Sequence, residues 1–164
     1  MTFDQYLAAF ALRRVLSSDL PEVGVQAITE GYDSVDLAAL AGSSSRYSSP
    51  RDLEDLFRLG LRHLNKAIPG RAEAARILRD YYATMVATGA MSPRAGAAEI
   101  VALDRDVHDV LPPNKYVGDG LGVGRIYGLF YSHDDVRDDD ERAHRQIDAE
   151  IKEVCRKLVD PDPT

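Results

Sequence analysis

Residues 49–64 read SPRDLEDLFRLGLRHL, and this stretch decides the fold. Ser49 supplies a helix N-cap and Pro50 a first-turn proline whose missing N–H costs nothing there. Leu53, Leu56, Phe57, Leu61 and Leu64 then recur at the spacing of one helical face, with charged residues on the other. Pro69-Gly70 ends the element. The same grammar repeats downstream. Residues 71–88, RAEAARILRDYYATMVAT, carry Ala74, Ile77, Leu78, Tyr81 and Met85 on one face, with Gly89 as the stop. Ser92-Pro93 opens another helix, whose Ile100, Leu103 and Val107 lead toward Pro112-Pro113.

Working outward, Thr2 and Gln5 fit a capping box ahead of Phe3, Tyr6, Leu7 and Phe10. Asp19-Leu20-Pro21-Glu22 starts a short helix that stops at Gly31, and Ser34 to Ala41 forms a third, closed by Gly42. Residues 42–49 are the most linker-like stretch, short enough for a loop within one domain. A final helix runs from about Asp138 to Val159 with Ile147, Ile151, Val154, Cys155 and Leu158 inward, and the tail 160–164 is expected to fray. No alternation of period two is long enough for a sheet. The expectation is an all-α, single-domain bundle of about six to eight helices over residues 1–159, with one irregular Gly/Tyr-rich loop.

That loop is residues 114–136. Gly118, Gly120, Gly122 and Gly124 fall within seven residues, beside Tyr116, Tyr127, Phe130 and Tyr131. Periodicity leaves Ile126 to Ser132 open between a short buried helix and a strand. No register of the glycines gives G-x-G-x-x-G, and no lysine follows as a P-loop requires. The reading is a pliable loop.

The 164 residues carry 20 Lys+Arg against 27 Asp+Glu, a formal charge of −7. Residues 1–82 hold 11 acids and 10 bases, and residues 83–164 hold 16 and 10, so the acidity belongs to the second half. Nucleic-acid binding through that half is disfavoured. No run approaches the ~18 apolar residues of a membrane span, and the first basic residues follow the N-terminal apolar segment, so a cytoplasmic protein is expected. Sixteen arginines to four lysines suggest a GC-rich bacterial genome. The lone Cys155 excludes an internal disulfide and a CxxC zinc site, and its place on an apolar face predicts an inert thiol.

The acidic run His133-Asp134-Asp135-Val136-Arg137-Asp138-Asp139-Asp140-Glu141 holds six carboxylates. Acids favour the start of a helix, where they meet the positive end of its dipole, and the last helix begins here. A second reading is a magnesium or manganese site formed by His133, Asp134, Asp135 and Asp138, in an enzyme acting on a phosphate-bearing substrate. On one continuous helix His133 and His144 would stand ~16 Å apart, too far to share a metal. His144 falls three residues before Ile147, on the apolar edge of the last helix, and is read as a packing residue. Asp104 and His108 sit one turn apart and form a candidate hydrogen-bonded pair.

Residues 81–100, YYATMVATGAMSPRAGAAEI, resemble a turn pattern of small bacterial helical proteins of unknown function: a helix, a Gly-acidic-x-x-Pro turn, then a Gly-Ala-x-x-Ile helix start. Ala90 stands in place of the acid, and Val101 in place of an aromatic. The resemblance covers about an eighth of the chain and implies a fold type alone.

The leading functional reading is a non-enzymatic domain of the immunity or antitoxin kind that binds a basic protein partner. Its surface is the segment from Tyr116 to Glu141, with Tyr116, Tyr127 and Tyr131 as anchors and Asp134, Asp135, Asp138, Asp139, Asp140 and Glu141 as charges. No catalytic residue and no cofactor is expected on this reading.

Overall fold

A computed structural model describes residues 1–44, 48–111 and 116–160. The middle of the linker-like stretch, Pro112-Pro113 and the last residues of the expected frayed tail lie outside the described residues. The chain is all-α: eight α-helices and no strand among the described residues. No described helix is long and apolar enough to cross a membrane. Residues 1–74 and 75–164 form two compact units.

In the first unit, α1 (Phe3–Ala11) opens on the expected capping box: Gln5 N–H donates to Thr2 Oγ1 at 3.3 Å, and Thr2 N–H to Gln5 Oε1 at 2.8 Å. α2 (Leu20–Thr29), α3 (Val35–Ala41) and α4 (Pro50–His63) follow, the last two capped by Ser34 and Ser49. Their apolar faces meet in one core, with Phe3, Leu7, Leu20, Leu37, Leu40, Leu53 and Phe57 almost wholly removed from water. Each such side chain contributes about 1.5–3 kcal/mol by leaving water.

Two glycines set how closely these helices approach. A Cβ on Gly24 of α2 would lie 2.9 Å from both the Ala41 nitrogen and the Leu37 carbonyl oxygen of α3. One on Gly60 of α4 would lie 2.6 Å from Leu37 Cγ. Leu37 is clasped between α2 and α4 because both present bare backbone to it.

The second unit contains most of α5 (Arg71–Thr88), then α6 (Pro93–Val107), α7 (Gly124–Asp135) and α8 (Glu141–Val159). α6, α7 and α8 pack mutually. The α5 boundaries match the sequence expectation, and Ser92 caps α6 as expected, its Oγ accepting from Ala95 N–H at 3.4 Å.

The expected Gly/Tyr-rich loop resolves differently. From Gly124 onward it is helix, which settles Ile126 to Ser132 against a strand. The preceding residues form one 3-10 turn (Asp119–Leu121) between left-handed Gly118 (φ +84°) and Gly122 (φ +70°). Leu121 and Val123 are buried, and Arg79 Nη1 on α5 donates to the Leu121 carbonyl at 2.6 Å. The glycines make tight reversals that seat two apolar side chains.

Candidate functional site

The acidic run is a turn between two helices. α7 ends at Asp135, Val136 is extended, and Asp140 caps α8 by accepting the Ala143 N–H on Oδ1 at 3.0 Å. α8 therefore begins a little later than the expected Asp138, with Glu141 in its first turn, where the helix dipole favours a carboxylate.

This break removes the condition of one continuous helix under which the two histidines would stand ~16 Å apart. His133 precedes the turn and His144 follows it, so they face each other across α7 and α8. Their rings are nearly parallel at 18° with centroids 5.0 Å apart, and their Nδ1 atoms stand 2.9 Å apart. His133 is buried, and its Nε2 lies 2.9 Å from Asp148 Oδ1 on α8. His144 Nε2 lies 3.2 Å from the Arg137 carbonyl in the turn.

His133 Nε2 faces a carboxylate and His144 Nε2 a carbonyl, groups that only accept, and the two Nδ1 atoms face each other, so these side chains and the turn form one connected polar group. It latches α7 to α8 beneath the acidic turn.

A second polar group lies further along α7. Tyr127 hydroxyl donates to Asp104 Oδ2 of α6 at 3.2 Å and is 3.4 Å from the Val101 carbonyl. Burial, then the Asp104 carboxylate, push its phenol up to about 12 against a smaller opposing pull from Arg105. Asp104 is therefore a partner of Tyr127. His108 instead lies 2.7 Å from the Arg105 carbonyl through Nδ1, so the expected Asp104–His108 pair does not form.

The expected anchors and charges divide into two sets. Tyr127 is half-buried and turned to α6, whereas Tyr116 and Tyr131 are exposed. Tyr131 stacks edge-on to Phe130 at 5.3 Å, and its hydroxyl is held by Arg105. Asp134 pairs with Arg94 of α6 at 3.1 Å, Asp139 with Arg137 at 3.2 Å, and Glu141 with Arg145 at 3.0 Å. Asp140 is the cap. Asp135 and Asp138 are exposed and make no ion pair or hydrogen bond through their side chains among the described residues.

His133, Asp134, Asp135 and Asp138 are not gathered as a ligand set, because His133 turns inward to Asp148 and Asp134 outward to Arg94. Among the described residues no three His, Cys, Asp or Glu side chains converge so as to hold a metal ion. Cys155 is buried on α8, and burial alone pushes its thiol up to about 11, which leaves it protonated and unreactive near neutrality.

Sequence reasoning missed the His133–His144–Asp148 group because it weighed the two histidines only as if on one continuous helix, although it began the last helix near Asp138, after His133. The signal was present: an acidic cap at Asp140 starts a new helix, and residues a few positions either side of a tight helical turn face each other. The chain matches no family model, no curated protein and no solved structure.

Proposed function

We propose that this protein is a non-enzymatic protein-interaction domain that holds a basic protein partner on the outer side of α7 and the α7–α8 turn. The bacterial immunity or antitoxin role is its most concrete form. One observation carries the reading: Asp135 and Asp138 stand exposed and uncompensated on a turn that the His133–His144–Asp148 latch holds in shape. Exposed carboxylates near an exposed tyrosine suit recognition of Lys or Arg, because no existing ion pair has to be broken on binding. Exposed Tyr131, 43% accessible, supplies the aromatic contact. The other acids of the run are engaged in caps and ion pairs, and they add long-range attraction more than contact.

The test compares tagged native protein with the Asp135→Asn/Asp138→Asn variant in cells that also express the neighbouring genes. The reading expects a basic protein to co-purify with the native chain, to be released as salt rises, and to be lost from the variant. Equal recovery of the same partner by both proteins sinks the assignment of this surface.

A further inference from the structure

The first unit holds a half-open cleft of about 570 Å³ beside the end of α1 and the middle of α4. That volume lies within the range of about 300–1,000 Å³ usual for small-ligand sites. Its apolar lining comes from Phe10, Val15 and Ile68, partly buried side chains that rest on the core. Leu16, 67% exposed, lines it as well.

Two arginines line this cleft in different states. Arg58 stands 5.5 Å above the Phe10 ring and 3.7 Å from Glu54 Oε2, while Ser17 Oγ donates to Glu54 Oε1 at 2.7 Å. The Glu54 charge is thus answered locally. The Arg13 side chain makes no ion pair or hydrogen bond among the described residues. Among the described residues, Arg13 is thus a cation without a partner on a partly apolar lining.

The backbone at Arg13 sharpens the point. It follows the α1 C-cap with φ +56°, the left-handed position where helices usually place glycine. After α4 the same position is filled by Asn65 at φ +51°, and asparagine tolerates it. Arginine has no such backbone advantage. What Arg13 adds there is its side chain.

We propose that this cleft binds a small organic carboxylate, its carboxylate on Arg13 and its apolar body on Phe10, Val15 and Ile68. A guanidinium pairs a carboxylate through two parallel N–H bonds. A single uncompensated cation matches a monoanion better than a phosphate dianion. The site is independent of the acidic turn, so either assignment can fail without the other.

The experiment titrates the ¹⁵N-labelled full chain with octanoate and follows the amide resonances. Saturable shifts confined to the neighbourhood of Ala11, Arg13, Leu16, Ser17 and Arg58 are expected. Arg13→Gln is expected to weaken binding about tenfold or more. Arg13→Gly is expected to lose binding equally while melting no lower than the native protein, since glycine relieves the left-handed backbone. 1-Octanol and inorganic phosphate are each expected to bind about tenfold more weakly than octanoate or worse. No saturable octanoate shift, undiminished binding by Arg13→Gln, or equal binding of octanol or phosphate overturns the proposal.

Discussion

The α2–α3–α4 core of the first unit and the α6–α7–α8 layer of the second both bury apolar side chains, and they differ in the contacts added at their closest approach. In the first, Leu37 is clasped by apolar neighbours and two glycines, and the contact is made by shape. In the second, Tyr127–Asp104 and His133–Asp148 with His144 tie the helices by polar bonds. A dry interface depends on volume, so its stability falls when atoms are removed or added. A polar interface depends on partners, and it suffers most when one member is removed and the other left behind.

Leu37→Ala tests the dry side most severely. Removal of a fully buried leucine is expected to cost about 2–5 kcal/mol, read as a lower denaturant midpoint with an unchanged slope. Gly24→Ala follows at about 1–3 kcal/mol, because its methyl meets backbone atoms of α3 at 2.9 Å that cannot swing aside. If both variants unfold like the native chain, the contact is looser than described.

On the polar side, His133→Ala is expected to cost about 1–3 kcal/mol by stranding Asp148 and His144. The double change His133→Leu/His144→Leu is expected to cost less than this single one, since it removes both partners of the ring-to-ring bond. The reverse order of melting temperatures would show that the rings matter by bulk and not by bonding.

Alkaline pH gives a further contrast. Tyr127 titrates near 12 in the folded chain against 10.0 ordinarily, and Cys155 near 11 against 9.0. Both are raised, so the stability tied to their protonated forms is complete below the ordinary values and is lost as pH rises through the folded ones. The native chain is expected to lose stability from about pH 9 upward, and Cys155→Ala with Tyr127→Phe to flatten that loss in alkaline melts. The smallest effect is expected from Asp135→Asn/Asp138→Asn, within about 0.5 kcal/mol, since both carboxylates are exposed and unpaired. A large loss of melting temperature there would make them structural and remove them from the binding surface.

The dry side was legible because a helix that buries apolar residues repeats them at a fixed interval and announces its ends by local chemistry. Thr2, Ser34, Ser49 and Ser92 each cap the helix that follows them. The polar side was not legible by that route. Tyr127, His133, His144 and Asp148 carry no apolar period, and their partners are 23, 15 and 11 residues away in sequence. The candidate charges are legible as residues, but which of them are already engaged depends on Arg94, distant in the chain, and on the local geometry of the turn.

The sequence by itself determined an all-α protein, the placement of most of its helices and the concentration of acid near residues 134–142. Local propensity, capping and burial period act within a few residues, so the order of amino acids suffices for them. Only the tertiary structure decided that, among the described residues, the Asp135 and Asp138 carboxylates have no partner, that His133 and His144 meet ring to ring, and that Arg13 lines an apolar cleft unpaired. Each of these depends on which side chain meets which across helices, and that is set by packing.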